Sequence, residues 1–309
     1  MRVLLVVNPA ASSVTTRARV SVERILRASV PTDVVETARR GHAAELARDA
    51  VVDGYEVVVV LAGDGTLNEA GGGLAGSPVA LAPLPGGSTN VFARTLGIAY
   101  EPEDAAHQLV ESLRRGTTRR IGLGAATAGE SVPRHFLCHL GVGFDAAIIR
   151  RMEARSYLKR HFAHPAFALA TVDTWLRHYD RRQAIRLTVD SHEKVVATGP
   201  YAVISNSDPY TYVGHRPMTI APGAALDDAL AVTVLTDLRA PLLLRTAASS
   251  MGRAAYLAAS ERIVQVTDVV GVTLTADTPF PWQVDGDDLG DVDHLAVAYR
   301  PDCLTVVTP

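Results

Sequence analysis

The first third of the chain alternates short apolar runs with amphipathic stretches. Val3 to Val7 is a continuous β-branched and leucine run, followed by a helical pattern from Thr15 to Ala28. Asp33 to Thr37, Val57 to Leu61 and Val79 to Leu84 predict further strands. Helical patterns follow them at His42 to Val52, Thr66 to Leu74 and Ser88 to Leu96. Pro102 to Arg115 predicts a helix with proline at its start, where a missing N–H costs little. This β–α alternation predicts a parallel sheet covered by helices on both faces. Ligands in such sheets sit beyond the carboxyl ends of the strands, where Asn8, Thr37, Asp64 and Ser88 all fall.

After about Gly116 short alternating runs take over. They include Arg119 to Gly122, Arg134 to Val142, Gln183 to Val189, Tyr201 to Ser205 and Ala229 to Leu235. Arg262 to Val266, Gly271 to Ala276, Leu295 to Ala298 and Leu304 to Val307 complete the set, with turn signals between them. The pattern predicts an antiparallel β-sandwich. A helical stretch from about Ala146 to Tyr179 and a shorter one near Ala240 to Ala258 interrupt it.

Composition narrows the function class. The chain has 309 residues, 48% of them hydrophobic, enough for one large domain or two medium ones. A net charge of -3 gives no global basic balance, so nucleic acid is not an expected partner. Cys138 and Cys303 are the only cysteines, which implies a reduced, cytosolic chain without a disulfide framework. His135, Cys138 and His139 cluster in a strand pattern whose alternation points Cys138 away from both histidines, so no metal site is expected there. The N-terminal apolar run is too brief for a signal segment, and no stretch reaches the roughly 18 apolar residues of a membrane span. The expectation is a soluble protein that would meet lipid from the membrane surface.

Two glycine loops carry the candidate chemistry. One apolar run ends in Ala62-Gly63-Asp64-Gly65-Thr66 and another in Pro85-Gly86-Gly87-Ser88-Thr89-Asn90. Each leads into a helical pattern, so backbone N–H groups and helix N-termini face incoming anions. Asp64 adds a carboxylate able to bind Mg²⁺ or take a proton. The alternative for the first loop is a plain strand-to-helix turn with Thr66 as the helix cap. No G-x-x-x-x-G-K-[ST], no H-R-D with D-F-G, and no G-x-G-x-x-G after the first strand is present. Their absence argues against P-loop, protein-kinase and dinucleotide-binding Rossmann enzymes.

The order of Asn8-Pro9, Gly63-Asp64-Gly65-Thr66 and Gly87-Ser88-Thr89-Asn90 with Phe92-Ala93-Arg94 resembles the diacylglycerol kinase catalytic-domain family. That family includes bacterial lipid kinases and sphingosine kinases, and the resemblance extends over nearly the whole chain. It implies an α/β nucleotide-binding domain at 1–118, a β-rich lipid-acceptor domain at 119–299, and an active site in the cleft between domains. It also implies that residues 300–309 return to the first domain. ATP and Mg²⁺ are the implied cofactors.

Carried over position by position, the resemblance assigns nucleotide contacts to Asn8, Pro9, Ser12 and Thr37. It assigns them also to Gly63, Asp64, Gly65, Thr66, Leu67, Asn68 and Glu69 of the first loop, and to Gly87, Ser88 and Asn90 of the second. For Thr37, capping of the helix before Ala43 is the alternative. Asp64 is the implied Mg²⁺ ligand. Two departures stand out: Ala62 occupies a place that is usually glycine, and Val91 one that is often aspartate.

Near the C-terminus Gln283-Val284-Asp285-Gly286-Asp287-Asp288 resembles the family's D-G-E motif, which makes Asp287 the implied general base and Asp64 the alternative base. A calcium loop and a solvated hairpin turn are the rival readings, since Asp-Gly is a strong turn signal. Asp228, in Asp227-Asp228-Ala229, corresponds to a structural Mg²⁺ ligand, with an acidic turn as the alternative. Arg150, Arg151, Arg155, Lys159 and Arg160 flank the apolar run Phe162 to Leu169, a pattern suited to anionic lipid headgroups or to a solvated helix face. Lys159 and Arg160 are expected to face substrate or membrane, and Asn206 to shape the cleft. Gly141-Val142-Gly143-Phe144-Asp145 resembles a motif with a structural role at the domain junction.

The expected protein is an ATP-dependent lipid kinase, cytoplasmic and peripheral on the inner face of the membrane. It would phosphorylate the hydroxyl of diacylglycerol or a similar lipid, and a homodimer is compatible with this reading. An NAD kinase, a sphingoid-base kinase and a non-catalytic nucleotide- or lipid-binding regulator are the alternatives.

Overall fold

The computed structural model describes residues 1–154, 163–180, 183–190 and 194–309. Two compact units emerge: Met1–Leu123 with Pro301–Pro309, and Gly124–Arg300.

In the first unit β1 (Val3–Val7), β2 (Thr32–Glu36), β3 (Val57–Ala62) and β4 (Ala80–Pro85) pair in parallel in the order β2-β1-β3-β4. From the C-terminal residues Thr305 and Val306 pair in parallel with Ala80 and Leu81. Every residue of β1, β3 and β4 is buried, as a sheet covered on both faces requires. The helices are α1 (Thr16–Arg27), α2 (His42–Val52), α3 (Asp64–Leu74), α4 (Val91–Thr95) and α5 (Pro102–Arg115).

On one face Val22 and Leu26 of α1 and Ala105, Leu109 and Val110 of α5 join Val3, Leu5, Val59 and Leu61 in one core. Helices α2 and α3 pack against each other so closely that a Cβ on Gly73 would sit 2.5 Å from the Ala44 carbonyl oxygen. Local signals set the helix ends. Thr15 Oγ1 accepts the Ala18 N–H at 3.1 Å, and α5 runs from Pro102 to a left-handed Gly116 (φ 68°). Two starts differ from expectation. Helix α3 begins at Asp64, with Gly63 rather than Thr66 as its cap. Helix α4 begins at Val91 rather than Ser88, because Asn90 takes a left-handed conformation (φ 48°) that interrupts helix.

The second unit is an antiparallel β-sandwich. The end of β5 (Thr118–Thr127) pairs with β6 (Arg134–Phe136). One run of strands joins β7 (His139–Gly143), β10 (Tyr201–Ser205), β13 (Leu230–Leu235) and β14 (Ile263–Val269). Another joins β8 (Ile185–Val189), β9 (Lys194–Gly199), β15 (Gly271–Val284) and β16 (Asp287–Val307). The far end of β15 also pairs with β7, through Trp282, Gln283 and Val284. Phe136, Leu140, Ile204, Val232, Leu274, Phe280 and Leu295 share the core between these strands. A small hairpin, β11 (Thr211–Val213) with β12 (Arg216–Met218), lies outside the main sheet.

Helices α6 (Phe144–Glu153), α7 (Ala163–Asp173), α8 (Ala240–Ser250) and α9 (Ala255–Ala259) occupy the predicted helical stretches. Residues 155–162 lie outside the described residues. The run Arg134 to Val142, expected as one strand, is two. Leu137 and Cys138 break it because their N–H groups go to a side chain, the Asp285 carboxylate, instead of a neighbouring strand. β15 and β16 are longer than expected, and β9, β11 and β12 had no counterpart in the sequence reading. Among the described residues no helix is long and apolar enough to cross a membrane.

Candidate functional site

The carboxyl ends of β1 to β4 gather the first group of predicted residues. Asn8 N–H donates to the Leu61 carbonyl at 3.2 Å, Thr37 N–H to Val7 at 2.9 Å, and Gly86 N–H to Ala62 at 2.9 Å. These bonds stitch the strand ends side by side. The glycines explain themselves by close approach. A Cβ on Gly87 would lie 2.7 Å from Gly63 Cα, and one on Gly86 would lie 2.8 Å from Ala62 N. The two loops therefore touch backbone to backbone. Ala62 closes β3 within an ordinary strand and is not among the positive-φ residues, so its methyl group is tolerated.

Asp64 holds the loops together. Its Oδ2 accepts the Val91 N–H at 3.0 Å and its Oδ1 the Phe92 N–H at 3.1 Å. A carboxylate from the first loop thus caps the helix that leaves the second. Burial raises the Asp64 pKa, and the bonds from Val91, Phe92, its own amide and Thr89 oppose that rise. Asn90 folds back on its own loop: Oδ1 accepts the Gly87 N–H at 2.7 Å and Nδ2 donates to the Gly87 carbonyl at 2.9 Å. Ser13 adds a hydroxyl bond to the same carbonyl at 3.0 Å.

Asn8 Nδ2 donates to Thr66 Oγ1 at 2.8 Å, and Asn8 Oδ1 accepts the Ala10 N–H at 2.9 Å. Pro9, Ser12 and Ser88 are exposed at this end of the sheet, while Thr37, Gly63, Gly65, Thr66 and Gly87 are half-buried. Leu67, Asn68 and Glu69 turn inward and are buried. Glu69 Oε1 accepts the Gly41 N–H at 2.7 Å and so anchors the loop after β2. Gly41, at φ 81°, is the cap of α2, so Thr37 is not its cap.

The second group sits on the β15–β16 hairpin of the other unit. Asp285 adopts φ 47° and its carboxylate accepts three backbone N–H groups: Leu137 at 2.8 Å, Cys138 at 3.0 Å and His139 at 2.8 Å. Asp287 stands beside Arg134 Nη2 at 3.4 Å, with 18% of its side chain exposed. Arg150 forks onto Asp288 at 2.8 and 3.1 Å and reaches Asp291 at 2.8 Å. Those ion pairs push the Arg150 pKa up, against the opposing effect of burial. Arg151 pairs with Asp173 at 2.8 Å.

These pairs bear on the basic stretch and on the rival calcium reading. Arg150 and Arg151 do not form an open basic face, and Asp288 and Asp291 are held by a guanidinium rather than arranged as a calcium loop. Asn206 is buried, donating from Nδ2 to the Leu137 carbonyl at 3.0 Å. Asp228 is exposed, and no group of three His, Cys, Asp or Glu side chains converges on it or elsewhere among the described residues. Lys159 and Arg160 lie outside the described residues.

Sequence reasoning missed a buried polar cluster beneath this hairpin. Asp145, 3% exposed, accepts from Tyr210 Oη at 2.8 Å and Gln283 Nε2 at 2.9 Å. Burial raises its pKa to about 6. His139 is buried with its ring 4.3 Å from that of Tyr210, and burial lowers its pKa to about 4. The available signal was Asp145 in an otherwise apolar run directly after Gly141-Val142-Gly143.

Comparison with known proteins bears on both groups. Residues 2–126 match the family described as diacylglycerol kinase catalytic domain, and residues 138–308 the YegS C-terminal NAD kinase beta sandwich-like domain. A diacylglycerol kinase of Mycobacterium tuberculosis is 27% identical over 161 residues, 52% of this chain and 50% of that protein. A protein of Chromohalobacter salexigens named "probable lipid kinase YegS-like" is 34% identical over 155 residues, 49% of this chain and 46% of that protein. The matched stretch thus spans about half the length of each relative. The crystal structure of a diacylglycerol kinase from Bacillus anthracis superposes with a TM-score of 0.71, covering 100% of this chain and 97% of that one at 19% identity, a likeness of fold.

Proposed function

Because the chain belongs to the lipid kinase family that joins a diacylglycerol kinase catalytic domain to a YegS-type β-sandwich, we propose that it transfers the γ-phosphoryl group of Mg-ATP to the hydroxyl of diacylglycerol. The product is phosphatidic acid. The observation that carries this reading is the pair of glycine loops locked together by Asp64 at the carboxyl ends of β3 and β4. Glycine loops that let backbone come close to a ligand at a helix N-terminus suit phosphate oxygens, and Ser88 supplies an exposed hydroxyl beside them. Asn8, Ser12 and Thr37 line the same end of the sheet and would contact the nucleotide.

The Asp64 carboxylate accepts from Val91, Phe92, its own amide and Thr89, which together take up its lone pairs. Mg²⁺ is usually held by one or two carboxylates together with substrate phosphates and water, so Asp64 would exchange one of these bonds for the ion. When bound, the ion would neutralise charge on the transferring phosphoryl group. Asp64 therefore positions, and its fixed oxygens suit it poorly to act as base. Asp287, oriented by Arg134 and partly exposed, would take the acceptor proton as the lipid oxygen forms its bond to phosphorus and ADP leaves. The membrane surface as the place of reaction is supported by Leu169, Val172 and Leu176. They stand 62%, 55% and 58% exposed along α7 and the π-helical segment Thr174–His178 that continues it.

The test is labelled Mg-ATP with mixed micelles of diacylglycerol. Wild-type protein should yield labelled phosphatidic acid. Asp287→Asn should lower turnover by roughly 100-fold or more, the usual contribution of a general base, while ATP affinity measured by calorimetry stays the same. ATP binding without any labelled lipid would overturn the acceptor assignment. Label appearing on a sphingoid base or on NAD would reassign it.

A further inference from the structure

We infer that Asp145 is a positioning residue: through the amide of Gln283 it fixes the turn that carries Asp287. The inference rests on the reading of Asp287 as the base.

The chain of contacts is short and fully buried at its centre. Gln283 Nε2 donates to Asp145 Oδ2 at 2.9 Å, and Gln283 Oε1 accepts the Gly286 N–H at 2.8 Å. Gln283 itself is 0% exposed. An amide has a donor end and an acceptor end. Asp145 receives hydrogen bonds from Tyr210 and Tyr201 as well, so it offers Gln283 only an acceptor. The amide therefore has to present its oxygen to Gly286. Without the carboxylate it is free to flip and to aim its NH₂ at the Gly286 N–H, which repels it.

The fold gives up packing to keep this arrangement. A Cβ on Gly141 would lie 1.7 Å from Asp145 Oδ2 and 2.7 Å from Gln283 Nε2, so β7 carries no side chain where the pair sits. The groups that bond the Asp145 carboxylate are neutral: two phenols and an amide. A carboxylate held in the interior by neutral donors alone is costly, and apolar residues of similar volume would pack there more cheaply. Helix α6 also grips the hairpin a second time, through Arg150 on Asp288. Its first turn bears Asp145, where the helix dipole favours negative charge. One helix thus holds the turn on both sides of Asp287.

The experiment compares Gln283→Leu, Asp145→Leu and Asp145→Asn with wild type. Asparagine keeps one oxygen for Gln283, whereas leucine keeps none. Amide hydrogen exchange across Val284–Asp288 needs no substrate. Exchange at Gly286 should quicken at least about tenfold in both leucine variants, as expected when a protecting hydrogen bond is lost, and stay near wild type in Asp145→Asn. Turnover of diacylglycerol should fall by roughly 100-fold in the leucine variants, with KM for ATP unchanged, and Asp145→Asn should recover most of it. If Asp145→Leu fails to fold, Gln283→Leu and Asp145→Asn decide the question.

Unchanged Gly286 exchange in the leucine variants would overturn the inference, as would faster exchange with full turnover. Faster exchange spread evenly over Gly124–Arg300 would also overturn it, because that marks a general loss of fold. A wild type that binds ATP and phosphorylates no lipid would refute the kinase reading. The exchange measurement would then still decide whether Asp145 holds the turn.

Discussion

Replacing Asp285 removes one carboxylate and strands three backbone donors. Leu137, Cys138 and His139 are 1%, 3% and 8% exposed, so water cannot take over from the lost acceptor. A buried donor left unsatisfied costs roughly 1–3 kcal/mol, so losing all three should cost about 3–6 kcal/mol once the relief of carboxylate desolvation is counted. Backbone conformation separates the variants. Asp285 sits at φ 47°, which asparagine tolerates, glycine adopts freely and alanine adopts at a cost of about 1–2 kcal/mol. Asp285→Asn keeps the oxygen facing Cys138 and His139 and loses mainly the bond to Leu137, for about 1–2 kcal/mol. The expected order of destabilisation is Asn, then Gly, then Ala. The assay is urea unfolding followed by tryptophan fluorescence. Trp175 and Trp282 are the only tryptophans and both belong to the Gly124–Arg300 unit, so the signal reports that unit. With an m-value of about 2 kcal/mol/M, a loss of about 4 kcal/mol lowers the midpoint by roughly 2 M. Asp285→Gly within about 1 kcal/mol of wild type would refute the reasoning.

Asp64→Ala should destabilise the first unit by about 2–4 kcal/mol, since the Val91 and Phe92 amides lose their acceptors, and should weaken ATP binding. Far-UV melting and calorimetry check this, and an unchanged melt would refute the capping role. Gly87→Ala should weaken ATP binding more than Gly63→Ala, because the added Cβ lies 2.7 Å from backbone in the first case and 3.3 Å in the second. Equal titration curves for the two would contradict it. The pH response follows from two shifts of opposite sign. Asp145, at about 6, contributes stability below its unfolded value of 3.8 that is lost as pH rises through 6. His139, at about 4, contributes stability above 6.5 that is lost as pH falls through 4. The two oppose each other between about pH 4 and 6, so Asp145→Asn should make the second unit more acid-sensitive in that window. Asp208, raised to about 6 by burial, works in the same direction as Asp145 and leaves part of the compensation in place. Tryptophan-monitored urea midpoints at about pH 4.5 and 6.5 would show it, and an unchanged difference would count against the assignment.

Elements with local signals were readable in advance. Helix α5 begins at Pro102 and ends at Arg115, because proline and glycine mark its ends within the segment itself. β1 and β3 stand out as apolar β-branched runs, since strands buried on both faces need no alternation. Segments whose hydrogen bonds go to remote partners were not readable. Leu137 and Cys138 look like the middle of a strand and break it, because Asp285 lies 148 and 147 positions away. Helix α4 starts late for a related reason: its cap is a carboxylate 27 and 28 positions back in the chain.

Sequence alone determined the order of a parallel α/β half and an antiparallel β half, and the two glycine loops at strand ends. It did so because hydrophobic period and turn chemistry act over neighbouring residues. Tertiary structure decided what the charged side chains do. It committed Asp64 to the N–H groups of α4, paired Arg150 with Asp288 and Asp291, and buried Asp145 against Gln283 and two tyrosines. A hydrogen bond forms only when donor and acceptor come within about 3 Å, and for residues so far apart in the chain that distance is set by folding.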